Sequence, residues 1–135
     1  MIVENAVHVY VGEPGRRLSI RLKVVNEGGR EIELGESASG LGDRPRTGRR
    51  DLELCIRALK LGLAAREQRR NVVMHTELQY VLENYRKAMF EWPNTGWKHR
   101  SSERPIENAD LWKELLKMMK KADNERIRIT WLHGL

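Results

Sequence analysis

The sequence predicts an α/β domain, a mixed sheet packed with helices in the order βββ-α-β-α-α-β. Three observations predict it. The first third alternates apolar and polar residues with period two, the strand pattern. Two later stretches, from Asp51 and from Leu78, repeat apolar residues at helical spacing. A short run, Asn71-Val72-Val73-Met74-His75-Thr76, separates those stretches and reads as a strand.

Taken in order, Val7, Val9 and Val11 alternate with His8 and Tyr10, and Leu18, Ile20, Leu22 and Val24 alternate with Ser19, Arg21 and Lys23. The turn-forming Glu13-Pro14-Gly15-Arg16 between them makes the two runs an antiparallel hairpin. After a second turn, Asn26-Glu27-Gly28-Gly29, Ile32 and Leu34 alternate with Glu31 and Glu33 as a third strand. Residues 35–50 are rich in glycine and arginine without apolar period, and read as a flexible basic loop. Leu52, Cys55, Ile56, Leu59 and Leu63 then mark one face of a helix over 51–68, widened by Leu54 and Leu61. The strand over 71–76 leads into a helix with Leu78, Val81, Leu82, Tyr85 and Met89 on one side. Trp92-Pro93-Asn94-Thr95-Gly96-Trp97 breaks that helix, and the basic Lys98-His99-Arg100 follows. Asn108 is a natural cap for a helix carrying Ala109, Trp112, Leu115, Leu116 and Met119, and a strand over 127–132 comes last.

Composition bounds the function. The 135 residues suffice for one domain, 1–135, with 40% hydrophobic and 33% charged residues for a core under a solvated surface. No apolar run approaches the ~18 residues of a membrane span, so no membrane partner is expected. The opening MIVENAVHVYV lacks the basic and apolar regions of a signal peptide. Cys55 is the single cysteine, which excludes an internal disulfide framework and fits an intracellular, cytoplasmic or nuclear, compartment. The net charge of +6 favours an acidic partner such as nucleic acid.

Particular residues carry a resemblance. His75-Thr76-Glu77-Leu78-Gln79-Tyr80-Val81 resembles a strand-to-helix motif usually written Thr-Asp-Ser-Gln-Tyr-Val. Gly96-Trp97-Lys98, then Arg104-Pro105-Ile106-Glu107-Asn108-Ala109-Asp110-Leu111-Trp112, resembles Gly-Trp-Lys followed by Lys-Pro-Val-x-Asn-x-Asp-Leu-Trp. Arg50-Asp51-Leu52 with Ile56 and Ala58-Leu59 looks like an Arg-Met-Glu-Leu helix start, and Thr130-Trp131-Leu132-His133-Gly134 like the strand before a histidine loop. These are motifs of type 1 ribonuclease H, and the chain resembles a degenerate member, similar to the connection or tether domains of reverse transcriptases. The resemblance implies a five-stranded mixed sheet, an antiparallel meander plus parallel strands, with helices on one face and the final C-terminal helix missing.

It also implies a site. Family members cut the RNA strand of an RNA–DNA hybrid with two divalent ions ~4 Å apart, held by converging carboxylates. Here the first-strand aspartate falls on Gly12, the helix glutamate on Asp51 and the fourth-strand aspartate on Glu77; the resemblance runs out at Leu135, before the histidine loop and last carboxylate. Glu13 is expected to leave the opposite face of its strand. Asp51 and Glu77 equally read as acids favoured by a helix dipole. No intact catalytic set and no metal are expected, with Asp51 and Glu77 as weak candidates and Mg2+ or Mn2+ relevant only to residual activity.

The gripping parts are altered too. Arg46, Arg49 and Arg50 stand near the family's paired asparagines, and Lys98, His99, Arg100 and Arg104 where members carry a basic handle. These seven are the candidate nucleic-acid contacts. Trp92 and Trp97 are expected to pack rather than stack bases. The sheet face without helices is expected to be largely polar, with His8, Tyr10 and Leu132 least at ease there, and to offer a patch to a protein partner or a second copy. The expected function is a catalytically inactive module that binds RNA–DNA hybrid or duplex, or scaffolds a protein. The alternative is a residual metal-dependent ribonuclease H whose site is completed by a partner or a longer natural chain.

Overall fold

A computed structural model describes residues 3–13, 18–38 and 47–135. The strands are β1 (Ala6–Gly12), β2 (Ser19–Val25), β3 (Glu31–Ala38), β4 (Asn71–Thr76) and β5 (Arg128–His133). The helices are α1 (Gly48–Ala65), α2 (Gln79–Phe90) and α3 (Ala109–Asn124), with a 3₁₀ turn at Trp92–Thr95. The sheet order is β3-β2-β1-β4-β5, and β1 is central. β1–β2 and β2–β3 pair antiparallel, whereas β1–β4 and β4–β5 pair parallel. A parallel pair needs a crossover, and α1 and α3 supply the two. The mixed sheet inferred from the sequence is the observed one.

Register shows how the core is built. Val7 faces Val24 and Val72, and Val9 faces Leu22 and Met74, so the alternating valines of β1 share one face with the apolar residues of both neighbours. That face packs on α1, whose Leu52, Leu54, Cys55, Ile56, Ala58 and Leu59 are all buried. Close approach is possible because Gly62 has no side chain: an added Cβ would lie 2.7 Å from Val9 Cγ2 and 3.3 Å from Val72 Cγ1.

Some boundaries, one cap and one strand's exposure differ from the sequence reading. β3 continues to Ala38 and α1 starts at Gly48, so the loop expected over 35–50 loses both ends; 39–46 lie outside the described residues. α1 begins early because Thr47 caps it, its hydroxyl accepting from Arg50 N at 3.1 Å. Asn108 stands at the N-cap of α3, but with φ 58° its side chain does not cap. Ile32 and Leu34, read as inward residues, are 42% and 49% exposed. The reason is position, since β3 is the edge strand and a register shift opposite Leu22 and Lys23 interrupts its ladder.

Gly62→Ala tests the α1–sheet contact. Helix propensity favours alanine by about 1 kcal/mol, but overpacking two β-branched core residues costs about 1–3 kcal/mol. The variant is expected to unfold at lower urea than the unaltered chain, and a higher midpoint would refute the contact.

Candidate functional site

Gly12 ends β1, Thr76 ends β4, and the first turns of α1 and α2 start at the same end of the sheet. Asp51, in the first turn of α1, is 4% exposed. Its Oδ1 accepts from Arg50 Nε at 3.2 Å and from Arg50 Nη2 at 3.0 Å. The same Nη2 donates to Glu13 Oε1. Arg50 is itself 7% exposed. Burial opposes its charge, but the hydrogen bonds to Asp51 and Glu13 outweigh burial and raise its pKa above the ordinary arginine value. Arg50 therefore lies inside the site and is not presented as a phosphate contact.

Glu13 leaves the face of the strand opposite to Gly12, as alternation predicts, and there it meets Arg50. That is the side of Val9 and Val11, where α1 lies. Gly12 points the other way, where an added Cβ would come within 2.7 Å of Leu135 Cδ1. The last residues pass over this strand end, with Gly134 N donating to Thr76 O at 2.9 Å. Thr76 is fully buried and its hydroxyl accepts from Leu78 N at 3.1 Å. Burial, reinforced by Asp51, pushes the thiol pKa of Cys55 well above normal despite a hydrogen bond with Thr76. A buried thiol held protonated is no nucleophile.

Glu77 is exposed, two residues before α2. The three remnant positions are thus not gathered into one ligand set. Among the described residues, no three His, Cys, Asp or Glu side chains come close enough to hold a metal ion. Two-ion chemistry needs converging oxygen ligands, and the described residues do not assemble such a set.

The basic candidates divide into two groups. Arg46 lies outside the described residues. Arg49 is spent between helices: it donates to Asp110 at 3.0 and 2.8 Å, to Asn108 Oδ1 at 3.4 Å, and sits 3.4 Å from Glu53. The hydrogen bond from Arg49 pulls the Asp110 carboxyl down to about 2. Lys98, His99, Arg100 and Arg104 instead stand on an exposed two-armed projection. Lys98 bridges Pro105, His99 N donates to Arg104 O at 2.8 Å, and Ile106 N donates to Trp97 O at 3.0 Å. None of the four forms an ion pair among the described residues. Trp92, 8% exposed, packs at the base against Trp97 and edge-on to Trp112, and Lys113 lies 5.5 Å from the Trp97 ring centre. Both tryptophans pack, as their positions imply.

On the helix-free face, His8, Tyr10 and His75 stack side by side. His8 Nε2 lies 2.8 Å from Val3 O, which only accepts, so in the neutral ring Nδ1 accepts from His75 Nε2–H at 2.8 Å. Arg21 covers the outer face of Tyr10 at 4.5 Å. His8 is only 3% exposed, so it is sheltered rather than ill at ease; Leu132 is 41% exposed. Burial first, then His8 and Lys23, lower the His75 pKa to about 4. Nothing in the sequence announces this pair, because its members are 67 residues apart.

Comparison with known proteins places this geometry. A family model described as RNase H matches residues 38–134. A ribonuclease H of Novosphingobium aromaticivorans is 33% identical over 86 residues, covering 64% of this chain and 54% of that protein. The chain spans about half the length of the curated relatives it matches, 54% and 43% for the first two. Among solved structures, LC9-RNase H1, a type 1 RNase H with the type 2 active-site motif, superposes with a TM-score of 0.54 at 21% identity, over 99% of this chain and 65% of that one. The foamy viral protease-reverse transcriptase in complex with dsDNA gives 0.54 at 14% identity, over 100% and 86%. These two likenesses show the fold.

Two outcomes are expected. Tyr80→Phe removes the hydroxyl that accepts from Asn108 Nδ2 at 3.0 Å and Trp112 Nε1 at 3.1 Å. A fully buried indole N–H without a partner costs about 1–3 kcal/mol, readable as a lower urea midpoint. His75 supplies the second. Its folded pKa is depressed, so the unfolded chain binds more protons between 6.5 and about 4. Its contribution is complete above pH 6.5 and is lost as pH falls to about 4. His75→Gln, which keeps a donor for His8, is expected to flatten that loss; an unchanged pH profile would remove His75 as its source.

Proposed function

The chain belongs to the RNase H family, and from that premise we propose that it is a module that holds nucleic acid, RNA–DNA hybrid or duplex, without cutting it. The observation that carries the reading is the projection of Lys98, His99, Arg100 and Arg104, exposed and with no ion pair among the described residues. Lysine and arginine cations without an ion-pair partner attract phosphates and release their counterions. Contacts to phosphate fix position without reading sequence. The tryptophans beneath stiffen the base of the projection, because Trp92 joins it to the core.

Three features support the non-cutting half. Gly12 supplies no ligand, Glu77 is exposed, and Asp51 is engaged by Arg50. The competing reading is a residual metal-dependent ribonuclease H completed by a longer chain, and it draws on the chain's coverage of about half of its relatives. A protein partner or second copy on the helix-free face has less support, chiefly the exposed Leu132.

The decisive experiment uses a labelled RNA–DNA hybrid, assayed for cutting in Mg2+ or Mn2+ and for retention in EDTA. Retention without cutting is expected. Binding is expected to weaken steeply with salt, and Lys98→Glu with Arg100→Glu should flatten the log–log slope by roughly one unit for each phosphate left unneutralised. Absence of retention at low salt would sink the binding half. Cutting that depends on Asp51 would sink the other.

A further inference from the structure

A pair of carboxylates at the mouth of a sheet draws a cation, and here that cation is already part of the chain. We infer that the Arg50 guanidinium is the resident cation of the Glu13–Asp51 pair, filling the place a divalent ion would take and making this end of the fold independent of metal. The inference deepens the non-cutting half of the reading above and rests on it.

The geometry is that of a lodged ion. Asp51 and Arg50 are 4% and 7% exposed. The guanidinium reaches both carboxylates at once: Nη2 is shared between Glu13 and Asp51 while Nε also donates to Asp51 at 3.2 Å. A planar guanidinium carries five donors and suits such a bridge, whereas a lysine ammonium would reach it only as a point charge. Arg50 also bridges chain segments, since Glu13 follows β1 and Asp51 belongs to α1, 37 and 1 residues away respectively.

Competition with a divalent ion then favours arginine for a simple reason. Arg50 adjoins Asp51 in the chain, so its charge is present at high effective concentration. Magnesium demands near-octahedral oxygens and sheds water reluctantly. It would meet two carboxylates and a guanidinium that must first leave a buried seat. Removing the guanidinium would leave a buried carboxylate without compensation, and an added ion is the available substitute.

The test is Mn2+ titration of the whole chain without nucleic acid, followed by the loss of the free-ion EPR signal. The unaltered chain is expected to show no Mn2+ site that Asp51→Asn abolishes. Arg50→Gln is expected to bind Mn2+ at least about tenfold more tightly than the unaltered chain, as a ligand set freed of an internal competitor should. Adding Asp51→Asn to Arg50→Gln should abolish the gain. Equal affinity in the unaltered chain and Arg50→Gln, or an Asp51-dependent site in the unaltered chain, would overturn the inference. If Arg50→Gln does not fold, NMR of the unaltered chain decides: the Arg50 Nε–H resonance should stay put through a millimolar Mg2+ titration, and its displacement would overturn the inference. Hybrid retention in EDTA plays no part in either readout, so this inference and the nucleic-acid reading fail separately.

Discussion

One phenol oxygen ties the helical layer together. The Tyr80 hydroxyl accepts from Asn108 Nδ2 and from the indole of Trp112, joining the first turns of α2 and α3. The Tyr80 ring in turn lies where a side chain on the first residue of α1 would be: a Cβ at Gly48 would come within 2.5 Å of it. Three helix starts therefore meet around one ring, and Trp112, fully buried, carries the contact on to Trp92. If this junction moved, the head of α1 with Arg49, Arg50 and Asp51 would move with it. So would the base of the Lys98–Pro105 projection, which rests on Trp92 and Trp97.

That junction also explains which family motifs stand out in the sequence. Tyr80, Asn108, Asp110 and Trp112 are the residues by which the chain most plainly resembles ribonuclease H, and each is engaged at the helix junction. Asp110 serves by taking Arg49, whose hydrogen bond holds the carboxyl ionised down to about pH 2. A scaffold of this kind can stand while the chemistry at its edge changes, because packing around Tyr80 and ligation around Asp51 use different side chains. Here Arg50 pairs at that edge with Glu13 and Asp51.

Legibility in the sequence followed the range of the forces involved. Valines at alternate positions of β1 and the leucines of α1 are local patterns, and they carried the order of elements and the identity of the core. The start of α1 was legible too, in Thr47, but glycines and arginines on either side drowned that signal. Asn108 misled for the opposite reason. It is a good capping residue, but a tertiary partner, Tyr80, holds its amide instead. The exposure of Ile32 and Leu34 was hidden because an alternating strand reads the same at a sheet's edge as at its centre.

By itself the sequence determined a five-strand, three-helix order, a strand end at Gly12 with no ligand, and a basic stretch from Lys98 to Arg104. These depend on residue type and on spacing along the chain. Only the tertiary structure decided which charges remain available. It buried Arg50 against Glu13 and Asp51, spent Arg49 on Asp110, and left Lys98, His99, Arg100 and Arg104 exposed. It also brought His8 to His75 across 67 residues. The reason is physical: a charge's partner is set by distance in space, and separations of 37 to 67 residues in the chain carry no trace of it.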